Sequence, residues 1–141
     1  MSGADTDLAR RAWRSMLDVV LDHDRKVAVS AALGVSWARV RALQRLAVEP
    51  HTLSELAEQL AADRPYATLI VDGLEERGLV ARTPHPEDRR AKLVQLTAAG
   101  RAAAAHADAI LDEPPAALHE VPAEDLEAVL RVLERLARSE G

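Results

Sequence analysis

Apolar residues recur at three- and four-residue steps over six stretches, and the interruptions between them carry turn chemistry. From residue 5 to 31, Leu8, Ala12, Met16, Val19, Val20 and Val27 keep that step with Arg and Asp between them, which predicts one long helix. Gly34 is its expected stop. Ser36 reads as the N-cap of a second helix reaching about Ala47, with Val40, Leu43 and Ala47 on one face. Glu49-Pro50-His51 predicts a turn, and Ser54 the start of a short third helix carrying Leu56, Ala57 and Leu60. Asp63-Arg64-Pro65 opens a fourth helix, because Asp caps and Pro is accommodated in a first turn. It runs to about Arg77 and ends at Gly78.

Beyond Gly78 the period changes. Residues 79–82 and 92–96 read as two short strands, joined by a polar tip with two prolines and four charges between Thr83 and Arg90. Thr97 is expected to cap a helix reaching about Glu113, which Pro114-Pro115 breaks. A last helix starts near Pro122 and runs to about Ser139, with Leu126, Val129, Leu130, Leu133, Leu136 and Ala137 in a near-heptad stripe. The predicted fold is mostly α with a small β-hairpin. Its core is a winged helix-turn-helix over residues 35–97, flanked by an N-terminal dimerisation helix (1–34) and C-terminal dimerisation helices (98–141). The flanking stripes are too amphipathic to stand alone. Leu8, Ala12, Leu126, Val129, Leu130, Leu133 and Leu136 are the expected interface of a homodimer.

Composition narrows the chemistry. Of 141 residues, 48% are hydrophobic yet only 2% are aromatic and none is Phe, so Ala, Leu and Val must build the core, which favours helices. The absence of Cys excludes disulfides, Cys-zinc sites, a thiolate nucleophile and a thiol redox sensor. No apolar run approaches the roughly 18 residues of a membrane span. The N-terminus has neither the charged nor the apolar region of a secretory signal, so a cytoplasmic protein is expected. An enzyme is not expected, for there is no Gly-rich phosphate loop, no GxSxG and no paired catalytic His and acid. The five histidines lack HxxxH or HExxH spacing, so no metal and no cofactor is expected either.

The net charge of −5 argues at first against a polyanionic partner, but it is unevenly spread. Residues 63–101 hold seven basic and six acidic side chains, whereas residues 102–141 hold three and nine. In the fourth helix, Ala67, Ile70, Val71 and Leu74 form one buried face. Arg64, Tyr66, Thr68, Leu69, Asp72 and Gly73 lie at its edges and outward side. A helix so presented is sized for the major groove of double-stranded DNA. There Thr68 is a candidate for a base edge, Leu69 for a thymine methyl, Tyr66 for a phosphate or base, and Arg64 for contacts at the helix N-terminus. The tip sequence Asp88-Arg89-Arg90, followed by Lys92, suits an arm reaching into a minor groove.

These residues resemble the MarR family of bacterial transcriptional regulators. Leu53-Ser54-Glu55-Leu56-Ala57 resembles the family's LSELA helix start. The stretch from Thr68 through Val80 is similar to its recognition-helix pattern TxLVDxLExRGLV. Pro86 to Ala91 and Leu96 to Arg101 are similar to its PxDRRA wing and LTxxGR helix opening. The resemblance implies a homodimer presenting two winged lobes to a palindromic operator, with Arg90 in the minor groove, oriented by Asp88, and the fourth helix in the major groove. It also implies a repressor released by an aromatic acid or similar effector. The expected effector site lies between the first, second and fifth helices, with Trp13, Met16, His23, Trp37 and Arg41 as candidates; Arg41 offers a bidentate fork for a carboxylate. The chain departs from the pattern where relatives often carry Arg, having Leu69 and Gly73 instead. With the acidic balance, this keeps open a second reading, a protein-interaction module on a winged-helix scaffold.

Overall fold

The computed structural model describes residues 2–139. In chain order the elements are α1 (Gly3–Asp22), α2 (Lys26–Leu33), α3 (Trp37–Val48), β1 (His51–Thr52), α4 (Leu53–Gln59), α5 (Arg64–Glu76), β2 (Val80–Pro84), β3 (Lys92–Leu96), α6 (Ala98–Leu111), a 3₁₀ turn (Ala116–Glu120) and α7 (Ala123–Ser139). The fold is mostly helical with a small antiparallel sheet, as the sequence predicts.

The long helix expected over 5–31 is two helices. Local side chains compete with the backbone ladder at the junction: His23 Nδ1 lies 2.8 Å from the Val19 carbonyl oxygen, and the Asp24 carboxylate accepts the Lys26 N–H at 2.9 Å. The apolar step runs on past this break, so periodicity alone conceals it. Gly34 does end α2, in the left-handed conformation at φ 69°, and Ser36 does cap α3 by accepting the Arg39 N–H.

The cap of α4 is Thr52, not Ser54. Thr52 Oγ1 accepts the Glu55 N–H at 3.2 Å, and the Ser54 hydroxyl accepts instead from Arg64. The segment expected as a turn ends in a strand, for His51 and Thr52 pair with Val94 and Leu93. The sheet thus has three strands, in the order β1-β3-β2, rather than a hairpin's two. Ala61, at φ 52°, closes the α4–α5 turn; Ala62 N–H reaches back to the Ala57 carbonyl at 2.9 Å. Asp63 caps α5 as expected, accepting the Tyr66 N–H at 2.8 Å.

The main core lies where α3, α4, α5 and the sheet meet. Leu43, Leu56, Ile70, Val71, Leu74, Val80 and Val94 are buried there together. Burial stabilises by roughly 1.5–3 kcal/mol for each such side chain. The periodic face 67/70/71/74 of α5 is the one buried, which turns the rest of that helix outward. A second cluster joins Val29, Val35, Val40 and Ala107, tying α2 and α6 to α3. Thr97 caps α6 and donates to the Gly78 carbonyl at 2.6 Å, so the end of α5 and the start of α6 share one knot. Gly100 is buried in that knot against the Leu79 backbone.

Neither α1 nor α7 has a buried residue. Leu8, Trp13, Val129, Leu130, Leu133 and Leu136 are all exposed, although α7 is strongly amphipathic. A shallow apolar hollow of about 340 Å³ lies between the two helices, lined by Ala12 and Met16 from α1 and by Ala128, Val129, Val132 and Leu133 from α7.

Candidate nucleic-acid interface

The interface is built on α5 and on the hairpin of β2 and β3. With its apolar face buried, α5 leaves Tyr66 48% and Leu69 59% exposed near its N-terminal end. Thr68 donates its hydroxyl to the Arg64 carbonyl at 3.0 Å, which leaves the oxygen's lone pairs as its free polar feature. Arg64 Nη1 donates to Ser54 Oγ at 2.9 Å and so joins the N-termini of α4 and α5.

The wing tip is stitched by its own backbone. His85 N–H donates to the Ala91 carbonyl and Ala91 N–H to the Asp88 carbonyl, both at 3.1 Å. Asp88 Oδ1 accepts the Arg90 backbone N–H at 3.0 Å. Asp88 thus sets the turn from which Arg90 projects, through the backbone rather than through a side-chain ion pair. Arg89 and Arg90 are exposed.

Arg82, which the sequence reading did not single out, ties the two parts together. Its Nη2 lies 2.7 Å from Asp72 Oδ1 and its Nη1 2.8 Å from Glu75 Oε1, so one guanidinium bridges β2 to two carboxylates of α5. Only 21% of the Arg82 side chain is exposed. The signal was available: Asp72 and Glu75 stand three apart on one helix face, and Arg82 shares its strand face with the buried Val80. The pairing also neutralises the two acidic groups of α5 nearest the wing.

Between α4, α5 and the wing lies a hollow of about 360 Å³ whose lining includes Thr52, Ser54, Arg64, Arg82, Arg90 and Lys92. Arg64, Arg90 and Lys92, scattered over 29 positions of sequence, therefore meet at one concavity with Arg82, whose charge is already balanced by Asp72 and Glu75, and no carboxylate lines the hollow itself. A surface of this kind attracts a phosphate backbone.

Gly73 is not part of the open face. It packs against α3, where a methyl group would run into the Arg39 guanidinium. Arg39 Nη2 donates to the Leu69 carbonyl at 3.1 Å and its Nε to the Ile70 carbonyl at 3.3 Å.

The five effector candidates do not line one cavity of the single chain. Met16 lines the α1–α7 hollow, and Trp37 lines a separate shallow hollow with Lys26 and Val27, where Lys26 Nζ sits 5.6 Å from the Trp37 ring centre. Trp13 and His23 are exposed on and just after α1, and Arg41 is half-buried on α3. Among the described residues there is no cluster of three or more potential metal ligands, and no helix is long and apolar enough to cross a membrane.

His51 is 2% exposed and supports the site from beneath. Its Nδ1 lies 3.2 Å from Glu55 Oε2 and its Nε2 3.3 Å from Gln59 Nε2. A proton on Nδ1 satisfies both, with the ring donating to Glu55 and accepting from the Gln59 amide. The hydrogen bonds from His51, and then from Thr52, hold the Glu55 carboxyl below its ordinary pKa. A carboxyl lowered in this way stabilises the fold above its unfolded pKa, and the contribution is lost as pH falls through the folded value. Glu55→Gln is therefore expected to be less stable than the parent at pH 6. Glu55 is half in solvent, so the difference is under about 1 kcal/mol. It should shrink as pH falls below about 4. Urea midpoints at pH 6 and pH 3 check this, and an equal difference at both would contradict it.

Residues 35–92 match the model of the MarR family. Among solved structures, the chain is similar to MarR of E. coli in its apo form, at 25% identity over 87% of this chain and 94% of that one, with a TM-score of 0.66. It is similar to YusO of Bacillus subtilis at 24% identity over 98% and 99%, with a TM-score of 0.75, a likeness of fold. It is also similar to the transcriptional repressor CouR bound to a 23-mer DNA duplex, at 30% identity over 96% of both chains, with a TM-score of 0.59. With residues 35–92 matched by the family model and 96% of its length matched at 30% identity, the chain belongs to the MarR family of winged-helix regulators.

Proposed function

We propose that the protein is a dimeric, sequence-specific repressor of transcription that acts in the cytoplasm on double-stranded DNA with a palindromic operator. The observation that carries this reading is the concavity where Arg64, Arg90 and Lys92 meet, walled by the ion-paired Arg82 and set between the exposed face of α5 and the wing. In this reading α5 enters the major groove, with Thr68, Leu69 and Tyr66 towards the bases and Arg64 and Lys92 on the backbone. Arg89 and Arg90 follow the wing to the adjacent minor groove, and Asp88 sets the turn that aims them.

The lobe over 35–97 binds DNA, and the segments 1–34 and 98–141 hold two copies together. The exposed apolar faces of α1 and α7 support the second copy, since a stripe like that of α7 is not left in water at no cost. In this reading the effector is a small aromatic or carboxylate molecule bound where the dimer helices meet the lobe; Trp13, Met16, His23, Trp37 and Arg41, which share no cavity in the single chain, are the side chains to test. Its binding there would release the operator.

The test is fluorescence anisotropy on DNA from the flanks of the protein's own gene, titrated with salt. Saturable binding that survives excess random DNA and weakens log-linearly with salt is expected. Arg90→Ala should weaken binding about tenfold on every duplex, because a groove contact of this kind follows shape more than base identity. An Arg90→Ala variant as tight as the parent would remove the wing from the interface. Equal affinity for all DNA, or none, would favour the interaction-module reading.

A further inference from the structure

Arg39 lies across the backbone of α5 at Gly73. Its guanidinium donates to the carbonyls of Leu69 and Ile70, which also serve the helix's own ladder, so the cation takes up their second lone pairs. Two of its five N–H groups point at these oxygens, leaving three donors. Among the described residues no carboxylate lies within salt-bridge distance of it, for Asp72 and Glu75 are held by Arg82 on the wing side of α5. Gly73 stands one turn beyond the exposed Leu69, near the same face, and on the flank of the helix opposite Glu75. The result is a fixed, uncompensated cation beside the outward face of α5, on the side away from the wing.

The geometry points to Arg39 as a phosphate-binding residue that grips the DNA strand bordering the major groove opposite the wing, with Gly73 kept free of a side chain to admit it. This rests on the DNA-binding reading above and adds a contact that α5 does not itself supply. The chemistry fits the ligand. A guanidinium fork matches phosphate oxygens bidentately, and two backbone carbonyls already hold this one in place, so little rotamer freedom is lost on binding. Here α3 delivers the cation over a glycine of α5.

The experiment uses the full chain and a 30-base-pair duplex enriched by the parent protein from a random-sequence library. Anisotropy is read from about 50 to 200 mM salt for the parent, Arg39→Ala, Arg39→Lys, Gly73→Ala and the double variant Arg39→Ala/Gly73→Ala. Loss of one phosphate contact flattens the slope of log K against log salt by about 0.9 for each protomer. Arg39→Ala is expected to show that change, with its preference for the enriched duplex over a scrambled one unaltered. Arg39→Lys, which keeps the charge but not the fork, should fall between the two. Gly73→Ala should lose the contact as Arg39→Ala does, while melting no lower than the parent, because alanine suits a helix better and the far end of Arg39 can swing aside. The double variant should lose no more than either single one.

An unchanged slope and affinity in Arg39→Ala would overturn the proposal, and with a lowered melting temperature would assign Arg39 to clamping α3 onto α5. Gly73→Ala binding like the parent would overturn it as well, independently of whether Arg39→Ala folds. If the parent enriches no duplex at all, the DNA-binding reading fails and this one with it.

Discussion

Gly100→Ala is expected to lower the free energy of unfolding by about 3 kcal/mol, with the steepness of the urea transition unchanged. The reason is a backbone approach that no rotamer can relieve. A methyl group on Gly100 would land on the Leu79 carbonyl, and Leu96 Cδ2 would lie 3.2 Å from it on the apolar side. That carbonyl accepts the Thr97 N–H at 3.1 Å, and Thr97 both caps α6 and bonds the Gly78 carbonyl. To admit the methyl, α6 must move off the turn that joins α5 to β2, which opens the cap and lifts Ala104 from the main core. The measurement is the urea midpoint of the variant against the parent. An unchanged midpoint would mean that α6 rides more loosely on that turn than its hydrogen bonds indicate.

Leu133→Glu is expected to abolish operator binding, by at least 100-fold at nanomolar protein, without touching the proposed DNA surface. Leu133 sits in the apolar stripe of α7 and lines the hollow against Ala12 and Met16 of α1. In the single chain it is 44% exposed, so glutamate has room there and the lobe core is untouched. In the proposed pair of chains the same position would become an unpaired buried carboxylate, which an apolar interface does not tolerate. Two lobes that bind as one unit owe most of their affinity to being tethered, so separating them costs far more than any single contact. Sedimentation velocity at micromolar concentration should show a monomer for the variant and a dimer for the parent. A variant that stays dimeric and bound would place the interface elsewhere.

Sequence reading succeeded where one residue type does one job. The α5 boundaries follow from Asp63, Pro65 and Gly78, and its buried face from four apolar residues at strict helical steps. The wing strands follow from a change of period. It failed where two groups compete for the same backbone. Asp24 and His23 take N–H and carbonyl groups that the long-helix reading assigns to the ladder, though Val19, Val20 and Val27 keep the apolar step on both sides. Strand β1 is two residues long, too short to alternate, and exists because β3 offers it a partner. Ser54 is the helix start that the sequence suggests, but Thr52, two residues earlier, makes the capping bond, and the Ser54 hydroxyl accepts from Arg64 instead.

The candidate interface was read less completely. Arg64, Tyr66, Leu69, Arg89, Arg90 and Lys92 all stand on the exposed side of α5 or on the wing, where the sequence reading put them. The role of Arg82 is not fully legible in the sequence, because its bridging depends on β2 lying beside α5. Gly73 looked like a missing charge on an open face. It is the floor under a cation from α3, and no spacing rule connects positions 39 and 73.

If two copies pair through the apolar faces of α1 and α7, as proposed, folding becomes linked to abundance. Neither helix has a fully buried residue within its own chain, so in that case much of their stabilisation would come from association, and the folded fraction would depend on how many copies are present. The melting temperature would then rise with concentration. If it represses its own gene, falling copy number would weaken both occupancy of the operator and the integrity of the regulator, and the return to expression would be steeper than DNA affinity alone dictates.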